Sequence, residues 1–314
     1  MIIKTYDAET LQEKETISKL TSVIFTRRFY KAGSFEIETT SGAFKVNDII
    51  AYKYKNEIRS GIVLKTVETN TGYSVTGYDL KGVYGFRYIT NPTEYSGTPI
   101  SIVNAIATEF LATGDRKLPG IIIAENATED AEISFTPDAA FLDKVFETFG
   151  ASNEVGTSLE FDLNNIVFTT LKGEDKSSRI KFCRNNRAIK SYEYTNDLFN
   201  TFNVGYSVDD DGNETITGTA AGFLRRECYK DKSISEYLAE KAAIETLRAE
   251  ANEKYVYGID YNLGDYVTVA TKDVEAVKQI TEVKEVYEKS QITVLPVFGT
   301  EKENPLKKIL RGEQ

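Results

Sequence analysis

Short apolar runs of strand length, divided by turn signals, fill residues 1–91. Ile2-Ile3 and Val23-Ile24-Phe25 are two of them. Phe35-Glu36-Ile37-Glu38-Thr39 alternates apolar and polar side chains, the period of a strand with one buried face, and Lys31-Ala32-Gly33-Ser34 breaks the chain before it. Ile49-Ile50-Ala51-Tyr52 comes next, then a turn around Lys55-Asn56-Glu57 and a run from Arg59 to Val67. A turn at Asn70-Thr71-Gly72 leads into Tyr73-Ser74-Val75-Thr76-Gly77. Strands at a spacing of about ten residues predict a small barrel or sandwich.

The pattern then changes to the helical period. Thr98-Pro99 combines a capping hydroxyl with proline at the first helical position, where its missing N–H costs nothing. Ile100, Val103, Ile106, Ala107, Phe110 and Leu111 share one face, and Gly114 marks the end. A second helix is expected to start at Thr136-Pro137-Asp138, with Phe141, Leu142, Val145, Phe146 and Phe149 as its apolar face and Gly150 as a left-handed cap. Ile121-Ile122-Ile123, Leu159-Glu160-Phe161 and Ile166-Val167-Phe168 read as strands, so residues 92–180 are mixed α+β. Beyond 181 strands return. Phe199 to Val208 and Thr215 to Thr219 flank Asp209-Asp210-Asp211-Gly212-Asn213, whose Asp-Gly step is a hairpin signal. One long helix is expected at 233–252, capped by Ser233 and Glu236, with Ile234, Tyr237, Leu238, Ala242, Leu247 and Ala251 as its buried stripe. Tyr255 to Asp260, Asp265 to Ala270, Val277 to Val286 and Gln291 to Phe298 read as closing strands.

Composition narrows the function. The 314 residues carry 38 Lys plus Arg against 48 Asp plus Glu, a net charge of −10. Such acidity opposes stable binding of a nucleic-acid backbone or an anionic membrane surface. There is no His, which removes Ser/His and Cys/His nucleophile pairs, His bases and His-ligated metals. Cys183 and Cys228 are too far apart in sequence for a metal knuckle and read as small apolar side chains. No apolar run reaches the roughly 20 residues of a membrane span, and no signal peptide is expected.

The remaining candidate chemistry is weak. A calcium loop with Gly212 in sixth place would need an acidic first ligand and a final Glu, but Ser207 and Gly218 stand there, so the acidic run reads as a solvated hairpin tip. Gly82-Val83-Tyr84-Gly85-Phe86-Arg87 lacks the Lys-Ser/Thr ending of a phosphate loop. Carboxylate pairs suited to glycosidases cannot be singled out among 48 acidic residues. Asp260 and Asp265, in Tyr257-Gly258-Ile259-Asp260-Tyr261-Asn262-Leu263-Gly264-Asp265, read as a glycine-assisted strand-turn-strand corner rather than a metal site. Lys302 to Arg311 reads as a basic tail or docking peptide. No catalytic, cofactor-binding or metal-binding residue is nominated, and no cofactor is expected.

Two stretches share an order of features. Asn47-Asp48-Ile49-Ile50 opens a series of strand, turn, long strand and strand ending in Gly77; Gly264-Asp265-Tyr266-Val267 opens a similar series ending in Gly299. The expected fold is therefore a β-rich α+β protein with two related antiparallel barrel-like domains, 1–91 and 181–314, an inserted α+β domain at 92–180, and the long helix. Phe35, Ile37, Ile50, Ile62, Val75, Val267, Val269 and Phe298 are the expected core of the barrels.

The segment from Tyr257 to Val269, followed by Val297-Phe298-Gly299, resembles the C-terminal signature of tail-tip and baseplate hub proteins of long-tailed bacteriophages and related tail-like particles. Gly33-Ser34-Phe35-Glu36-Ile37, Gly61-Ile62-Val63, Val75-Thr76-Gly77-Tyr78-Asp79-Leu80, Arg87-Tyr88-Ile89 and Leu224-Arg225-Arg226-Glu227 are similar to the same family in order and spacing. The family has a further strand segment before the Tyr257 corner, for which Glu250 to Lys254 leaves little room. The resemblance implies a structural, non-enzymatic virion part: a homotrimer whose two barrels per chain offer six quasi-equivalent positions. Such a ring would meet a six-fold tail tube or distal tail ring on one side and a three-fold tip, spike or fibre on the other, with DNA passing its acidic lumen without stable binding. A receptor- or glycan-binding tail module, with the 19 Tyr as stacking faces, is the alternative reading, and a cell-wall hydrolase a further one.

Overall fold

The computed structural model describes residues 1–55, 57–124, 130–197, 201–209, 211–229, 244–251, 254–272, 275–288 and 291–299. They fall into two units, one of Met1–Ser191 with Ala249–Phe298, the other of Tyr192–Arg248 with Gly299–Gln314.

The first unit begins with β1 (Ile3–Tyr6), β2 (Glu13–Ile17), β3 (Leu20–Arg28), β4 (Ser34–Thr39), β5 (Ile49–Tyr54), β6 (Glu57–Thr69) and β7 (Gly72–Asp79). All join one large sheet in the order β3-β4-β7-β6-β5-β1-β2. A 3-10 helix over Leu80–Phe86 leads to β8 (Tyr95–Gly97), α1 (Pro99–Leu111), β9 (Ile121–Ile123), β10 (Ile133–Phe135), α2 (Leu142–Asn153), β11 (Val155–Phe161) and β12 (Ile166–Lys172). Strands β11, β12 and β9 form a small sheet, β9 running parallel to β12. Then come β13 (Lys181–Cys183) and β14 (Ile189–Asp197), the latter belonging to the second unit from Tyr192 on. β18 (Ile244–Ala251) belongs to the second unit as far as Arg248 and to the first from Ala249, and is followed by β19 (Tyr266–Ala270), β20 (Glu275–Glu288) and β21 (Gln291–Gly299). Antiparallel pairing of β20 with β3, from Glu282↔Arg28 to Glu288↔Ser22, joins the late strands to the early ones.

One apolar core runs from the large sheet into the α+β insertion. Tyr6, Ile49 and Ala51 of the large sheet, Leu80 and Tyr84 of the 3-10 helix, Ile106 and Phe110 of α1, Phe146 and Phe149 of α2, and Phe161 and Phe168 of the small sheet all belong to it. Tyr84 meets the Phe146 ring edge-on at 5.0 Å between centroids. Of the expected barrel core, Phe35, Ile37, Ile50, Val75, Val267, Val269 and Phe298 are buried; Ile62 is half-buried.

The second unit holds β15 (Val204–Val208), β16 (Glu214–Thr217) and β17 (Glu227–Tyr229). β15 and β16 form the expected hairpin, while β17 runs parallel to β15. The Asp209 carboxylate caps the tip, accepting from the backbone N–H of Asp211 at 3.0 Å and of Asn213 at 2.8 Å.

Four expectations change. The β-rich α+β class stands, but the large sheet is an open path of strands and is not closed into barrels. α1 starts as expected, the Thr98 hydroxyl accepting from Ser101 N–H at 3.3 Å. α2 starts later than Thr136-Pro137 because the residues before it pair elsewhere: Ile89 N–H donates to Ala140 O and Leu142 N–H to Arg87 O, both at 2.8 Å. Its left-handed cap is Glu154, at φ 57°, and Gly150 lies inside the helix, where a Cβ would come within 2.4 Å of Val155 O. The long helix expected at 233–252 is replaced over Ile244–Ala251 by β18, a strand of the large sheet. Helix propensity is a weak prior against the pull of an unpaired sheet edge. β18 also stands where the resemblance asks for a strand. The start of that helix, with Ser233 and Glu236, lies outside the described residues, as do Phe199, Asp210 and the basic tail. Finally, Tyr255–Asp260 is a turn rather than a strand, closed by Asp260 N–H to Val256 O at 2.8 Å. Among the described residues no helix is long and apolar enough to cross a membrane.

Candidate functional site

Two features of the first unit draw on residues far apart in sequence. The first is a corner that occurs twice. Lys45-Val46-Asn47-Asp48 is a tight turn, with Asp48 N–H donating to Lys45 O at 3.1 Å. The Asp48 carboxylate closes it, accepting from Lys45 N–H at 3.2 Å. Asn47 sits at φ 70°, the left-handed conformation that this kind of turn requires at its third residue. Asn47 N–H donates to Val63 O at 2.8 Å and Val63 N–H to Asp48 O at 2.9 Å, which ties the corner to β6. Lys14 Nζ reaches the carboxylate at 2.6 Å.

Asn262-Leu263-Gly264-Asp265 repeats this bond for bond. Asp265 N–H donates to Asn262 O at 3.3 Å, Gly264 N–H to Ile280 O at 2.8 Å, and Ile280 N–H to Asp265 O at 2.9 Å. The carboxylate accepts from Asn262 N–H at 2.7 Å, and Gly264 holds the left-handed position at φ 97°. A Cβ on Gly264 would fall 2.2 Å from the Phe29 ring, so glycine is needed for space as well as conformation. Lys176 Nζ supplies the cation at 2.8 Å, and Glu174 N–H adds a bond at 2.9 Å.

The likeness extends along the strands. Ile49 opposes Ile62 as Tyr266 opposes Gln279, at the same offset from the corner. One residue past Val63 the β6–β7 ladder shifts register, with Val63↔Gly77 followed by Lys65↔Thr76. One residue past Ile280 the β20–β21 ladder makes the same shift, with Ile280↔Phe298 followed by Glu282↔Val297. The counterpart of Gly77 is thus Phe298, one place before the Gly299 that sequence suggested.

The second feature is a buried charge network on β3, β6 and β20. Arg59 and Glu285 are almost wholly buried, at 1% and 3% exposure. Arg59 Nε and Nη2 each donate to Glu285 Oε1 at 2.9 Å, and Nη1 donates to Glu57. Its guanidinium lies 5.1 Å from the Tyr54 ring centre and 5.9 Å from that of Tyr257. Arg27 donates to Tyr257 Oη at 3.1 Å and pairs with Glu160 of β11. Burial works against the charged guanidinium of Arg59, but Glu285, Tyr257 and Glu57 together outweigh it and hold the pKa above the ordinary arginine range. Burial pushes the Tyr54 phenol up to about 12 and the Lys81 ammonium down to about 8. Lys81 Nζ donates to Arg28 O, and Asp79 beside it is raised by burial, with Lys81 opposing. Arg27, Arg59, Glu57, Glu160 and Glu285 satisfy one another, which is a way of fixing strand register across a large sheet, whereas the buried Asp79 Oδ1 has no hydrogen-bond partner.

Neither feature was nominated as a site from sequence. Arg59 and Glu285 are ordinary charged residues until β3 and β20 pair. The corner at Asp265 was visible through its glycines; its role as a carboxylate clamp was not.

The chain matches the family described as Siphovirus ReqiPepy6 Gp37-like protein over residues 2–300 and belongs to it. Among curated proteins none matches it. Solved structures share its fold, among them these three. The prophage tail protein gp18 from Listeria monocytogenes is 12% identical with a TM-score of 0.56, covering 99% of this chain and 98% of that one. The 43 kDa tail protein of prophage MuSo2 from Shewanella oneidensis is 11% identical with a TM-score of 0.55, covering 95% and 96%. A chain of the phage P2 baseplate in its activated conformation is 10% identical with a TM-score of 0.51, covering 97% and 100%. The protein therefore has the fold of phage tail and baseplate structural proteins.

Proposed function

We propose that this chain is the hub of a phage tail tip or baseplate, or of a tail-like particle, and that it works as a three-copy ring. The observation that carries the reading is the repeated corner. Two stretches with little identity keep the same turn, the same carboxylate clamp, a lysine partner each and the same register shift. Two look-alike β units per chain, three chains to a ring, give six similar positions for a six-fold tube or distal tail ring above. A three-fold tip, spike or fibre is met below. The work is structural, done by strand edges and apolar faces; obligate interfaces of this kind bury more than about 2,000 Å². Membership of a siphovirus family and the shared fold of tail and baseplate proteins support a place in the virion. The acidic composition suits a lumen that lets DNA pass without holding it.

The test is omission. Particles assembled without this chain should have tubes but lack an organised tip, and the purified chain should neither cleave cell wall nor bind saccharide. Complete tips in its absence would overturn the reading; saccharide binding would favour a receptor module, and cleavage a hydrolase.

A further inference from the structure

The two look-alike stretches differ in one respect. Past its register shift, β20 is paired on both edges: Glu282–Glu288 faces β21 on one side and Ser22–Arg28 of β3 on the other. Glu282, Val283 and Glu285 are buried there. Past the equivalent shift, β6 is paired on one edge only. Lys65 to Thr69 faces β7, and among the described residues no strand lies along the opposite edge. Lys65, Thr66, Val67, Glu68 and Thr69 are all exposed. An open strand edge carries unpaired N–H and C=O groups and is a template for strand addition.

The occupied edge indicates what fills the empty one. β3 is the first of the two strands, β3 and β4, that precede β5 in the chain. The two strands of the large sheet just before β19 are β14 and β18, and among the described residues β14 stands at the end of the strand order. By the repeat, β14 is to the second stretch what β3 is to the first. We propose that Lys65 to Thr69 of one molecule is paired by β14 of a second copy of this chain, as Glu282–Glu288 is paired by β3 within the molecule. The contact joins two different edges, so it is head-to-tail and closes into a ring when the rotation permits. This rests on the hub reading and gives that ring its bond.

Cysteine pairing tests it in purified tails. In a Cys228→Ser chain, Thr66→Cys or Val67→Cys is combined with Ser191→Cys or Tyr192→Cys, so that both facings of each strand are sampled. Under mild oxidation at least one pair should give a reducible ladder ending at three chains, and controls with one introduced cysteine beside the buried Cys183 should give none. In parallel, backbone amides of 65–69 should exchange at least tenfold more slowly in tails than in the free chain. Tips holding three copies with no ladder from any pair, or with unprotected 65–69 amides, would overturn this contact and leave the hub standing. Tails that never contain the chain would overturn both.

Discussion

Asp48 and Asp265 occupy the same place in two copies of one corner. Each accepts from the backbone N–H three residues earlier and each binds a lysine, but the lysines differ: Lys14 is 40% exposed, Lys176 only 9%. Asp265→Ala would leave the Lys176 ammonium only the exposed Glu174 carboxylate at 3.5 Å and would strand two backbone donors, which costs about 2–4 kcal/mol. Asp48→Ala leaves its lysine free to turn to water and should cost less. Denaturant midpoints of the two variants at equal m-value give the comparison; equal losses would mean that the corners are not closed by the carboxylate in the way described.

The Arg59–Glu285 pair should behave as a buried pair does. Glu285→Ala leaves a guanidinium at 1% exposure without its main partner and is expected to cost about 3–5 kcal/mol. Replacing both, Arg59→Met with Glu285→Leu, should recover most of that stability, since two fitted apolar side chains avoid the desolvation of two ions. Chemical denaturation of the single and double variants measures the difference. A double variant no better than Glu285→Ala would show that the charges, beyond their mutual neutralisation, are needed for the β3–β20 register.

Lys81 gives a pH signature. Its folded-state pKa is about 8, lowered by burial and partly restored by Asp79, while an unfolded lysine titrates near ~10.4. Between these values the unfolded chain holds a proton that the folded chain has shed, so stability rises with pH. Above about pH 10 the raised tyrosines act in the opposite sense, because the unfolded phenols lose their protons first. From pH 8 to 9.5 the wild type should therefore gain about 1–2 kcal/mol that Lys81→Met does not. Parallel slopes for the two proteins would remove Lys81 as the cause.

Phe35 probes the core of the large sheet. Its ring stacks parallel to Phe25 at 6.2 Å and lies where a Cβ on Gly61 or Gly77 would stand, 2.8 Å and 2.6 Å from the ring. Phe35→Ala should cost about 3–5 kcal/mol and lower assembly into tails together with stability. An unchanged melting midpoint would contradict this placement.

Much of this architecture was legible from local pattern. The alternation of Phe35–Thr39, the Thr98-Pro99 start and the Asp-Gly hairpin each state a structure in a few residues, and each holds. What was not legible depended on distant partners. α2 starts at Leu142 because Arg87 and Ile89 claim the residues before it. Ile244–Ala251 has the composition of a helix and becomes a strand because the large sheet takes it. Arg59 sits between Ile58 and the Ile62-Val63 pair, a local hint that its charge is buried, but Glu285 could be assigned to it only once β3 had joined β6's sheet to β20.

The central claim is that one chain carries two equivalent β units so that three chains form a six-position ring. Native mass spectrometry of tips released from purified tails tests it most directly. The expected result is a species of three chains, about 106 kDa for a 35.2 kDa protomer, holding together without other tail proteins. A tip that contains six copies, or a single one, would contradict it.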